Sequence, residues 1–148
     1  VIEPALARLY CESLARGLPF QDIRPAAAPY LTRYFVAGWT PYRNGKGPAV
    51  FLHHFLSSDP DDAVHSHPWA WGLSLILVGG YLETRVDEAG AVHVATYTPG
   101  DTNILRPPDR HRVDLLERDC WTLFLAGTYA QPWAFWPLGE IGPNSAAP

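Results

Sequence analysis

The sequence predicts an all-β fold, a sandwich or barrel with one helix at its start, and three observations carry that prediction. Proline (15) and glycine (12) are plentiful in 148 residues while methionine is absent, so the chain is rich in turns. Between the turns lie eight successive segments of strand length and β-type composition. One stretch near the N-terminus has helical periodicity instead.

That stretch is residues 4 to 16. Pro4 suits a first-turn position, Leu6, Leu9, Tyr10, Ser13 and Leu14 share a largely apolar face, and Gly17 and Pro19 end the helix. From Pro25 to Pro48 the chain is broken by prolines and glycines around a short strand-like run from Leu31 to Val36. Tyr42 to Pro48 reads as a turn, with Asn44-Gly45 its strongest signal. The eight strands expected after it are Ala49 to Leu56, Ala63 to Trp69, Gly72 to Val78, Tyr81 to Val86, Val92 to Tyr97, Asn103 to Arg106, His111 to Leu115 and Trp121 to Ala126. Their connectors, among them Ser57-Ser58-Asp59-Pro60-Asp61-Asp62, Asp87-Glu88-Ala89-Gly90 and Pro99-Gly100-Asp101, carry polar turn chemistry. There is no repeat and no linker. The expectation is one domain over residues 1–148, with a helical segment over 1–20, a barrel core over 49–137 and a loose tail over 139–148.

Composition narrows the function. A net charge of −4 and 11 scattered Lys and Arg residues offer no basic footprint for a phosphate backbone, so no nucleic-acid partner is expected. No apolar run approaches the roughly 20 residues needed to span a bilayer, and no membrane association is expected. The N-terminus lacks the charged-then-apolar order of a signal peptide, although the absence of an initiator Met leaves the true start open. Cys11 and Cys120 are far apart and suit two reduced, buried thiols, which favours a cytoplasmic setting.

The residues that carry chemistry begin with His65-Ser66-His67. Histidines at i and i+2 on a strand share a face and can reach one cation. His111 follows 44 residues further on, after the turn made by Pro107-Pro108. Together these resemble the two motifs of the cupin superfamily. The first motif there is HxH, three or four residues, a glutamate, about six residues and a glycine; the second adds a histidine after a proline-containing turn. His65, His67, Gly79 and His111 match the pattern. The glutamate position falls at Trp71 or Gly72, where there is no carboxylate, and the glycine usual between proline and histidine is replaced within Arg106-Pro107-Pro108-Asp109-Arg110. The string His65-Ser-His-Pro-Trp69 and the ending Trp133-Ala-Phe-Trp136 are similar to a group of small bacterial cupin-like proteins with an HxHPW signature. The resemblance spans roughly residues 49 to 137.

The resemblance implies a double-stranded β-helix, or jelly-roll barrel, with a metal held by His65, His67 and His111. Three neutral imidazoles leave a 2+ charge uncompensated and up to three positions on an octahedral ion open. Cupins lacking the glutamate resemble three-histidine oxygenases, in which Fe(II) binds a bidentate substrate and then O₂. Fe(II) is therefore the metal favoured, with Zn, Ni, Mn and Cu as alternatives that imidazole also accepts. Two rival readings are a redox-neutral metal-dependent isomerase or lyase and a non-catalytic small-molecule binding module.

The supporting residues follow from parity and proximity. Parity turns one of His53 and His54 inward without saying which; an inward ring serves as a base or a fourth ligand, or is a buried histidine bonded to backbone, and His54 is carried as the candidate. Tyr81 and Glu83 share a face and are candidate acid–base groups, Glu83 alternatively being a solvent-facing charge beside Arg85 or Lys46. Arg106 and Arg112 flank the third histidine and are candidate clamps for a substrate carboxylate, with parity turning Arg112 away from the metal. His93 is expected on a solvated face. Among Trp69, Trp71, Tyr97, Trp121, Trp133 and Trp136 most pack the core and one or two line the pocket, Tyr97 being the substrate-binding candidate. The expected partner is a small polar molecule, oxidised with O₂. Exposed strand edges make a homodimer the expected assembly, if there is one.

Overall fold

The computed structural model describes residues 2–23, 30–38, 47–59 and 63–137. Most of the turn expected over Tyr42 to Pro48 and the tail expected over 139–148 lie outside these residues. Among the described residues one helix is followed by eleven strands: α1 (Pro4–Ala15), β1 (Phe20–Ile23), β2 (Leu31–Gly38), β3 (Ala49–Phe55), β4 (Ala63–His65), β5 (Gly72–Val78), β6 (Tyr81–Val86), β7 (Val92–Tyr97), β8 (Thr102–Leu105), β9 (Arg110–Leu115), β10 (Cys120–Ala126) and β11 (Phe135–Pro137). They form two antiparallel sheets, ordered β1-β2-β3-β10-β5-β8 and β11-β4-β9-β6-β7. This is the jelly-roll barrel that the resemblance implies. No helix among the described residues is long and apolar enough to cross a membrane.

Parity in each strand decides what the barrel encloses. In β3, Phe51 and His53 face the interior, while Leu52 packs outward against Trp121 of β10 and the helix. In β5 burial alternates from Gly72 through Ser74 and Ile76 to Val78. One inner cluster contains Phe35, Phe51, Trp69, Leu105 and Phe124; another contains Ile76, Tyr81, Val113 and Cys120. Leu105 and Phe124 of the first and Tyr81 and Val113 of the second line a cavity of about 440 Å³. Burying these aromatic and aliphatic groups stabilises the barrel by about 1.5–3 kcal/mol per fully buried side chain. The hairpin between β5 and β6 turns at Gly79, whose φ is +76 and where a Cβ would meet the Asp119 carbonyl at 2.2 Å.

The helix packs differently from the sequence expectation. Pro4 does open its first turn, with Glu3 accepting from the Leu6 amide at 3.2 Å. Yet Leu6, Leu9, Tyr10 and Leu14, on the face read as largely apolar, are exposed by 47–65%. The side that meets the barrel is Ala7, Cys11 and Ala15, packed on Leu52, Val78 and Trp121. Small residues at this spacing let the helix approach the Trp121 ring closely. Arg8 anchors the approach, donating from Nε (3.1 Å) and Nη2 (2.8 Å) to Asp119.

Two further departures concern strand ends. The strand expected from Ala63 to Trp69 stops at His65, because Pro68 has no amide to continue a ladder, and Trp69 makes only an isolated bridge to Tyr129. β1 and β11 were not expected, being short edge strands whose pairing depends on β2 and β4. Cys11 and Cys120 are both free and buried, as their separation implied. Burial pushes the Cys120 thiol up to about 12.

Candidate metal centre

Register brings the three histidines together. His65 ends β4 directly opposite His111 of β9, so the two rings share the inner face with centroids 4.8 Å apart. His67, past the end of β4, still turns inward, its ring 5.0 Å from His65 and 4.8 Å from His111. Nε2 of His67 lies 2.7 Å from Nε2 of His111, and one ligand nitrogen from each ring falls within 4.8 Å of the others.

Each strand-borne ring has a carboxylate behind it. His111 Nδ1 donates to Glu83 Oε1 at 2.5 Å, and Nδ1 of His65 lies 3.5 Å from Asp59 Oδ2. The Glu83 bond fixes the His111 tautomer with hydrogen on Nδ1 and leaves its Nε2 as the lone-pair donor toward the cavity. Burial holds His65 and His67 well below the ordinary imidazole range, so both are neutral, the form that binds a cation. Two nitrogens at about 2.1 Å from one ion and at right angles would be about 3 Å apart, close to the observed Nε2 pair. The donor set fits a divalent metal.

Glu83 is therefore placed behind a ligand and not in the cavity as an acid–base group. Burial pushes its carboxyl up, but the hydrogen bond from His111, with bonds from Asn103 (2.9 Å) and Arg85 (2.9 Å), outweighs this and holds it down at about 2. Asn103 also donates to the Tyr81 hydroxyl at 3.1 Å. Asp59 receives the Tyr30 hydroxyl and, at 2.7 Å, the Val113 amide; burial pushes it up.

The other expected site residues divide. Tyr81 lines the cavity, and burial raises its phenol. His54, carried as the inward candidate, lies on the opposite face of β3, where it stacks on Trp121 at 3.9 Å and meets Asp119 Oδ2 at 2.9 Å; this corrects its assignment to the site. His53 is the inward ring. Arg106 is exposed in the turn after β8 and does not line the cavity. Arg112 points outward and pairs with Asp114 at 2.7 Å, as parity implied. Tyr97 packs on Tyr81 with centroids 5.5 Å apart but does not reach the cavity. His93 is exposed and paired with Asp87 at 2.9 Å.

Sequence reasoning missed Arg33, Asp59 and Tyr30. Arg33 faces the cavity from β2, donating from Nε to His53 Nε2 at 3.1 Å with its guanidinium 4.8 Å from the Phe51 ring centroid. The signal available was alternation, since Leu31, Arg33 and Phe35 share a face. Asp59 had been absorbed into a polar turn.

No protein-family model matches the sequence, and no curated protein matches it. Solved structures do match the fold, and they are cupin-fold metalloenzymes. HppE, solved as Fe(II)-HppE with the alternative substrate (S)-1-HPP, superposes with a TM-score of 0.58 at 11% identity, over 76% of this chain and 57% of that one. Streptomyces albus HEPD, with 2-hydroxyethylphosphonate and Fe(II) bound, gives 0.59 at 18% over 79% and 26%. Bacillus subtilis oxalate decarboxylase, described with Mn(II) centres, gives 0.55 at 17% over 76% and 29%. The chain spans 57% of HppE and about a quarter of HEPD. The class of protein that fold and site define is a cupin-type barrel with a three-histidine site suited to a divalent metal.

Proposed function

We propose that this chain is a mononuclear metal enzyme that oxidises a small polar molecule with O₂, using Fe(II). The observation that carries the reading is the convergence of His65, His67 and His111 on a cavity of about 440 Å³ with no carboxylate among the ligands. When bound, Fe(II) supplies open coordination positions and one-electron chemistry with O₂. The chain's own groups do the rest. Glu83 orients His111 and keeps hydrogen on its Nδ1, and Asp59 stands behind His65. Leu105, Val113, Phe124 and Phe55 wall the cavity and exclude water, and Tyr81, anchored by Asn103, presents a phenol to the substrate. The likeness to Fe(II)-containing HppE and HEPD supports the iron assignment.

A second reading, redox-neutral chemistry on a metal such as Mn(II), is supported by the likeness to oxalate decarboxylase. Metal analysis combined with O₂ uptake tests both. Stoichiometric iron with O₂ consumption is the expected result; tightly held manganese or zinc without uptake gives the second reading; no metal in any preparation sinks both. His65→Ala is expected to abolish metal retention.

A further inference from the structure

A guanidinium facing a cavity without an acid beside it needs an explanation. Arg8 is paired with Asp119, Arg85 with Glu83 and Asp109, and Arg112 with Asp114. Arg33 has no such partner among the described residues. Its Nε is used by His53, directly opposite it in the β2–β3 ladder, and its plane is held near the Phe51 ring; among the described residues its two terminal nitrogens make no hydrogen bond. Burial lowers Arg33 only to about 10, so the group stays charged at neutral pH. Burial, followed by the Arg33 charge, holds His53 well below its ordinary range, which leaves His53 neutral and able to accept.

Among the described residues, the charges around this group leave it unmatched. Asp22, the carboxylate that lines the same cavity, lies exposed on β1 and accepts from Thr32 Oγ1 at 2.8 Å. Asp59 and Glu83 sit behind the histidine rings. With a divalent cation on three neutral imidazoles, the cavity would present positive charge at both the metal position and Arg33. The free edge of a guanidinium is two parallel N–H donors, the complement of a carboxylate.

We propose that Arg33 determines the specificity of this site and that the substrate is a small organic acid, its carboxylate on Arg33 and a second donor atom toward the three-histidine centre. This rests on the reading of that cavity as a metal-containing substrate site. Pre-orientation by His53 and Phe51 means that little side-chain entropy is lost on binding. The surrounding Ile23, Leu31, Phe55 and Phe124 lower the local dielectric and strengthen the ion pair. A neutral molecule of the same shape would leave the half-buried guanidinium without an anion.

Calorimetric titration with oxalate, malonate, succinate and glutarate, each against its diamide, tests this on metal-loaded and metal-free protein. At least one acid is expected to bind tighter than its diamide by about tenfold or more, and Arg33→Gln is expected to weaken that acid about 10- to 100-fold while leaving metal content and melting temperature unchanged. Should Arg33→Gln fail to fold, Arg33→Lys carries the test. It keeps the charge but not the fork, and is expected to weaken acid binding severalfold without changing the response to diamides. Equal binding of every acid and its diamide overturns the proposal, as does acid affinity unchanged in the variant that folds. Failure of the metal centre looks different: wild-type protein retains no metal, and the preference for acid over diamide persists in the metal-free form.

Discussion

His53 and His54 are adjacent in β3, yet the two faces of that strand give them unlike surroundings. His53 faces the cavity, between the rings of Phe51 and Phe124 at 5.7 and 5.1 Å, and accepts from Arg33. His54 faces the helix, stacked on Trp121 and bonded to an Asp119 that Arg8 also holds. The inner face has an unmatched cation and an open volume, whereas the outer face has a closed ion-pair network under small helical residues. The difference teaches that residue type does not identify a site. What distinguishes the cavity is a charge without a partner, and what distinguishes the scaffold is that its charges are satisfied.

Variants that separate the two faces sharpen this contrast. The largest effect is expected from Glu83→Gln, which replaces the carboxylate behind His111; metal affinity measured by chelator competition should fall about 10- to 100-fold. Unchanged affinity would mean that the carboxylate does not tune the ligand. On the outer face, Asp119→Ala should cost about 2 kcal/mol in denaturant unfolding while metal content stays constant. Lost metal in that variant would break the separation of the faces. The same carboxylate gives a pH signature. Burial pushes Asp119 up, but bonds from Arg8 and His54 outweigh it and hold it below the ordinary carboxylate range. Its stabilising contribution is therefore present above about pH 4, the unfolded value, and is lost as pH falls through the lower folded value. Asp119→Asn should flatten that acid limb. The smallest effect is expected from Leu9→Ser, which changes an exposed position of the helix and should alter stability by no more than about 0.5 kcal/mol. A larger loss would mean that this face packs after all.

The legibility of the sequence followed the range of the interactions. β5, β6 and β7 occur with the bounds that alternation and turn residues predicted, since hairpins are specified by neighbours in the chain. β1 and β11 escaped because short edge strands gain their definition from the strand beside them. The helix was located by Pro4 and Gly17, but its packed side was not. The tertiary surface rewarded the close approach of Ala7, Cys11 and Ala15 over the bulk of Leu9 and Leu14.

For the site, the HxH spacing paired His65 with His67, because the strand period puts both on one face, and the cupin resemblance added His111. The succession of short strands predicted a sandwich or barrel, and the cupin resemblance implied the jelly roll. Only the tertiary structure decided which of His53 and His54 turns inward, that Glu83 and Asp59 stand behind the ligands, and that Arg33 faces the cavity in place of Arg106. Each of those outcomes depends on strands distant in the chain, and parity within one strand cannot tell inside from outside until a second sheet closes over it.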